Sequence, residues 1–113
     1  MEIFSVAVGG FLGSVCRYYI STKIKPFGVG TFIVNITGSI LLVLIVKLYM
    51  LGLISEVGWL TIGIGFCGAY TTFSTFGHET LQFIQEKKHL LAIMYVCSTA
   101  MISLIAVFLI LML

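Results

Sequence analysis

The sequence predicts an all-α integral membrane protein of four transmembrane helices, the third of them broken. Three observations carry that prediction. The 113-residue chain is 60% hydrophobic and only 9% charged, where a soluble domain has about 25% charged residues, so it cannot furnish a water-facing surface. Four apolar runs, at about 3–22, 30–50, 57–84 and 90–112, are separated by short polar breaks, and each supplies the ~20 residues that span a hydrocarbon core. No alternating ten-residue pattern suggests the strands of a closed barrel, the other way to satisfy backbone groups in lipid.

The first run begins MEIFSVAVGG, without the basic n-region or small-residue cleavage site of a signal peptide, so it is expected to remain as a span. Gly9 and Gly13 form a small-xxx-small pair, a signal of tight helix association. Arg17, near the end of the run, either snorkels to the interface or lends positive charge to a vestibule. The run closes in STKIKPFG, where Pro26 and Gly28 mark a turn.

Asn35 lies early in the second run, within TFIVNITGS. A carboxamide offers two donors and an acceptor. In hydrocarbon it serves either as interhelical glue, worth about 0.6 kcal/mol on average, or as a donor lining an anion path. Gly38-Ser39 follows mid-span.

The third run is too long and too interrupted for one regular helix. It contains GFCGAYTTFSTFGHET, residues 65–80. The glycines and hydroxyls either form a close-packing face or break the helix near Gly68 to Thr72 and turn backbone carbonyls inward. Unwound backbone is tolerated at membrane depth only where protein or a cavity surrounds it, and there it can bind a cation. Phe73 and Phe76 flank Ser74-Thr75; they pack, or they turn their positive ring edges toward a passing anion.

In the fourth run Tyr95, Thr99 and Ser103 recur every four residues, which on a helix stacks three hydroxyls in a slowly drifting row. Ser98 lies off it. Such a row can line an ion path, or its hydroxyls can bond back to their own helix.

Several classes are excluded. Nothing resembles GxSxG, HExxH or a nucleotide-binding loop, and adjacent His78 and Glu79 diverge by about 100° on a helix. A lone histidine is no metal signature. The net charge of +2 and the Lys87-Lys88 pair give no nucleic-acid patch. Cys16, Cys67 and Cys97 lie apart in apolar runs, as small filler. A small multidrug-type proton-coupled transporter would carry an acidic residue within its first span, and here only Glu2 stands at its end. A non-conducting structural subunit, with the polar groups as packing glue, is the third reading.

GGFLGSVCRY, GTFIVNITGS and GFCGAYTTFSTFGHE together resemble the CrcB/Fluc family of fluoride channels, over almost the whole chain. The resemblance implies a passive channel in the cell membrane that exports cytoplasmic fluoride, built as an antiparallel dimer with two pores. It implies a structural Na⁺ at the dimer centre, held by the backbone carbonyls of Gly68 and Thr71. It places Asn35, Phe73, Phe76, Thr75, Tyr95, Thr99 and Ser103 along the fluoride pathway, with Arg17 and Glu79 at the vestibule. Cys67-Gly68-Ala69 departs from a Gly-Gly pair common in the family, and Tyr70 is bulkier than the pattern leads one to expect.

An antiparallel homodimer needs a chain that inserts both ways. Lys23, Lys25, Lys87 and Lys88 fall on one side and Lys47 on the other, with Arg17 near the first group. The positive-inside rule then favours external termini. This implies either a heterodimer with an opposite-topology homologue or a dual-topology homodimer despite the bias.

Overall fold

A computed structural model of the chain describes residues 2–24 and 27–113; Lys25 and Pro26, part of the turn and the charge count read from the sequence, lie outside the described residues. α1 (Glu2–Lys23), α2 (Val29–Met50) and α6 (His89–Met112) are each long and apolar enough to cross a membrane. The third apolar run is divided into α3 (Glu56–Gly58), a π-helical segment (Trp59–Cys67), α4 (Gly68–Tyr70) and α5 (Ser74–Gln85). Among the described residues all regular structure is helical, a multi-pass membrane protein by composition and helix length.

The buried residues of α1 are Ser5, Gly9 and Gly13, a small side chain every four residues and hence one narrow face. That face lies directly on the π-helical segment. A Cβ at Gly65 would stand 2.6 Å from the Val6 carbonyl oxygen, and one at Gly13 would stand 3.1 Å from Phe66 Cα. The Gly9–Gly13 pair read as an association signal is therefore used within the chain, against its own third run. The outer face of α1 exposes Phe4, Phe11, Val15 and Tyr18, which suits lipid.

The turn into α2 rests on Gly28, whose φ of +87° an L side chain rarely adopts; the rings of Phe83 and Tyr95 lie beside it. At the opposite end of the bundle Ser55 caps α3, its Oγ accepting from the Gly58 N–H at 3.1 Å. Tyr49 stacks on Trp59 there, with ring centroids 5.5 Å apart, as amphipathic rings do at a membrane interface. Lys47 Nζ donates to the Ile110 carbonyl at 2.9 Å, joining the Leu113 N–H that the same oxygen accepts at 3.2 Å in the last turn of α6.

Val34 and Cys67 are the largest fully buried side chains, and many large apolar residues remain exposed. The chain thus has a thin interior and an apolar exterior, the opposite of a water-soluble monomer.

Candidate functional site

The site is built around the interruption in the third run. α4 ends at Tyr70, Thr71 turns extended (φ −79°, ψ 155°), and α5 resumes at Ser74. Cys67 takes the closing bonds of the first half: its carbonyl accepts from the Thr71 N–H at 3.0 Å and from Thr71 Oγ1 at 2.8 Å. Thr72 opens the second half, its Oγ1 accepting from the Thr75 N–H at 3.2 Å, which meets one of the free donors of the first turn of α5.

Three neighbouring side chains hold the unwound stretch. Asn35 Nδ2 donates to the Thr72 carbonyl at 3.0 Å, and its Oδ1 accepts from the Thr72 N–H at 2.8 Å. Arg17 Nε donates to the Ala69 carbonyl at 2.9 Å, at the negative end of the helix dipole. Tyr70 is buried, stacks on Phe66 at 5.4 Å and meets Thr37 Oγ1 at 2.9 Å. The Thr37 proton goes to the Ile33 carbonyl at 2.7 Å, so Tyr70 is the donor in that pair. Gly38 makes room: a Cβ there would collide with Thr71 Cγ2 and stand 3.0 Å from Tyr70 Cδ2. The bulk of Tyr70 is thereby accommodated inside the chain, between Phe66 and α2.

The carbonyls of Gly68 and Thr71 contrast with these. Among the described residues neither accepts a hydrogen bond, and Gly68 is exposed, with nothing within 4 Å of where a Cβ would be.

Beside the interruption runs a groove of about 340 Å³ between α2 and α6. It gathers Asn35, Thr71, Phe73, Phe76, Thr99 and Ser103 in one lining, so five of the predicted pathway residues share a surface. Phe73 is 85% exposed although it sits mid-chain, and its ring centroid is 6.3 Å from that of Phe76. Thr75, Gly68 and Arg17 lie outside this groove. Tyr95 and Glu79 form a separate pair next to it, Tyr95 Oη donating to Glu79 Oε1 at 2.8 Å; the Phe76 ring bridges the two places, 5.0 Å from that of Tyr95. A larger groove of about 730 Å³ shares Tyr95 but is lined mainly by apolar side chains.

The hydroxyl row on α6 is not uniform. Thr99 Oγ1 donates back to the Tyr95 carbonyl at 2.6 Å, so its proton is committed to its own helix and lone pairs are what it offers the groove. The sequence names Thr72 only as the end of the break and Ser39 only as a small residue in mid-span, and it does not single out Thr37; the signal for Thr72 is its place in the TTFSTF stretch. Ser39 Oγ donates to the Asn35 carbonyl at 2.7 Å, a contact that no sequence spacing distinguishes from ordinary helix back-bonding.

Comparison with known proteins gives the chain a family. Residues 4–111 match the family described as CrcB-like protein, Camphor Resistance (CrcB). A Bacillus cereus protein named fluoride-specific ion channel FluC 2 is 39% identical over 96% of this chain and 93% of its own length. Fluoride-specific ion channel FluC of Pyrococcus furiosus is 38% identical over 96% of this chain and 91% of its own, and that of Pyrococcus abyssi is 39% identical over 90% and 86%. With a family match running nearly end to end and relatives of this identity aligned over almost their full length, the chain belongs to the CrcB family.

Proposed function

We propose that this chain is a subunit of a passive, fluoride-selective channel that lets fluoride leave the cytoplasm across the cell membrane. The observation that carries the reading is the groove beside the broken helix, which joins two phenylalanines to the polar groups of Asn35, Thr99 and Ser103. The names of the relatives agree with it. A surface of ring edges and neutral dipoles attracts a small anion without holding it as a cationic site would. Phe73 and Phe76 form the apolar wall of the pathway; Ser103, whose hydroxyl is not committed elsewhere among the described residues, replaces part of the hydration shell, while Asn35 and Thr99 shape the lining and Thr75 stands beside it. Tyr95, held by Glu79, stands at the vestibule end. Arg17 keeps its full charge while bonded to Ala69, and so biases the vestibule toward anions. A negative interior drives the ion out by about 2.3 kcal/mol per charge per 100 mV.

The same reading makes the working unit an antiparallel dimer with two pores. The support is Gly68, an exposed residue whose carbonyl accepts no hydrogen bond among the described residues, and the exposed Phe73 ring. At membrane depth an unsatisfied carbonyl costs several kcal/mol, which a second copy over Gly68 would offset. The carbonyls of Gly68 and Thr71 fit a Na⁺ ion, being hard oxygen ligands without competing donors. Bound there, such an ion would supply positive charge against the carbonyl dipoles of Gly68 and Thr71; the chain's own part is to keep the backbone open at Thr71. The lysine bias toward the end bearing Lys23, Lys87 and Lys88 makes an opposite-facing homologue the alternative partner.

The test is fluoride efflux from liposomes holding only this purified chain, with chloride as control. Rapid fluoride-selective efflux that is lost in Phe73→Ile and Phe76→Ile supports the channel and a homodimer. Silence that is relieved by a co-reconstituted homologue supports the heterodimer. Silence under both conditions from folded protein overturns the reading.

A further inference from the structure

The contact between Asn35 and Thr72 has a form that constrains its purpose. One carboxamide takes both backbone groups of one residue, at 3.0 Å and 2.8 Å, the two-way exchange that paired strands make. Only a side chain with donor and acceptor side by side can do this, an amide or a protonated carboxyl; of these only the amide has the pair without taking up a proton, and glutamine is one methylene longer. Asn35 is placed by its neighbours: Ser39 binds its carbonyl, and Gly38, one turn on, admits Thr71 against α2. Thr72 needs such a partner because the chain has left the helix at Thr71 and has not resumed it before Ser74. Its N–H and C=O have no helical partners, and lipid offers none.

We propose that Asn35 is a positioning residue: its carboxamide braces the Thr72 peptide and so fixes where Phe73, the next residue, projects into the groove. Its main contribution is this brace and not direct contact with the ion. The flux consequence rests on the channel reading above; the brace itself does not. With the brace gone, the peptide at Thr72 is free to rotate, and the Phe73 ring moves relative to Phe76.

The experiment changes the backbone and the side chain separately in the full-length reconstituted protein. Replacing Thr72 by its α-hydroxy analogue turns the amide into an ester, which removes the N–H that Asn35 Oδ1 accepts and leaves Asn35 untouched. The ester and Asn35→Ala are each expected to lower fluoride efflux about tenfold, the scale of one unsatisfied buried group. Combined, they lower it no further, because both break one interaction. An ester with wild-type efflux, or effects that multiply, overturns the brace and makes Asn35 an ion ligand. The second readout is amide hydrogen exchange at Thr72, expected to quicken about tenfold or more in Asn35→Ala while α1 amides keep their protection. Should that variant not fold, Asn35→Leu keeps the size and lacks both donor and acceptor, and serves the same measurement. If the wild-type chain passes no fluoride, exchange still decides: faster exchange at Thr72 upholds the brace while the channel reading fails, and unchanged exchange sinks the brace.

Discussion

Replacing Gly65 by alanine tests whether the backbones of α1 and the π-helical segment touch as closely as the fold requires. The new Cβ would lie 2.6 Å from the Val6 carbonyl oxygen and 3.1 Å from both Gly10 N and Gly9 Cα. Close carbon–oxygen contacts settle near 3.3 Å or longer, so the two elements must part by roughly 0.7 Å. All three obstacles are backbone atoms, so no side chain can swing aside. Overpacking of this kind costs about 1–3 kcal/mol. With no side chain able to yield, the cost falls at the upper end of that range; alanine returns up to ~1 kcal/mol through its better helix propensity, leaving a net loss of about 1–2 kcal/mol. Gly10→Ala is the matched control, since its Cβ meets nothing closer than the Gly65 carbonyl oxygen at 3.8 Å, and the propensity gain alone remains. The assay is reversible unfolding in mixed micelles. Gly65→Ala as stable as wild type, or Gly10→Ala equally damaging, refutes the close-contact argument.

Four further outcomes are expected. Tyr70→Phe removes the donor to Thr37 and lowers stability by about 1 kcal/mol in the same unfolding assay. Arg17→Gln leaves the Ala69 carbonyl without its charged donor and costs roughly 1.5–3 kcal/mol; Arg17→Lys recovers part of this, lacking the planar Nε geometry but keeping the charge. Gly68→Ala has open space within the chain, so unfolding of the lone subunit is unharmed while self-association, followed by sedimentation in detergent, weakens if a second copy covers that face. Glu86 is held below the usual carboxylate range, first by the Gln82 amide that donates to it and then by Lys88. What the pair adds is present above the unfolded carboxyl's pKa and lost as pH falls through the lowered one. Both side chains are exposed, 53% and 46% accessible, and solvent screens the pair, so Glu86→Gln leaves thermal unfolding at neutral pH unchanged.

Hydropathy alone makes the helical class and the apolar exterior legible, because lipid admits so few backbone solutions. The place of the interruption is also readable: glycine followed by consecutive β-branched hydroxyls in an apolar run is a poor α-helix. What lay beyond reading was partner choice. Gly9 and Gly13 announce close packing, yet only the fold assigns that packing to the chain's own third run. Arg17 is an interfacial cation by position and a cap for α4 by contact, a distinction set by a residue 52 positions away. The hydroxyls of Thr99 and Ser103 look alike in a spacing argument and differ in where their protons are spent. The π-helical form of Trp59–Cys67 left no mark in the sequence, since propensity does not separate it from an α-helix.

The bond between Lys47 and Ile110 spans 63 residues, and that separation is also an interval of time. At about 5–20 residues per second, the carbonyl that receives the lysine is made roughly 3–13 s after it. Through that interval Lys47 has no α6 carbonyl to bond, and as a cation at the end of a new span it counts toward the Lys/Arg bias that sets orientation. Charge is weighed on the growing chain, before the finished molecule takes this lysine into the last turn of α6. The charge count that bears on insertion is therefore the one along the chain, where Lys47 stands unbonded, and not the one on the folded surface, where its Nζ is taken up by Ile110.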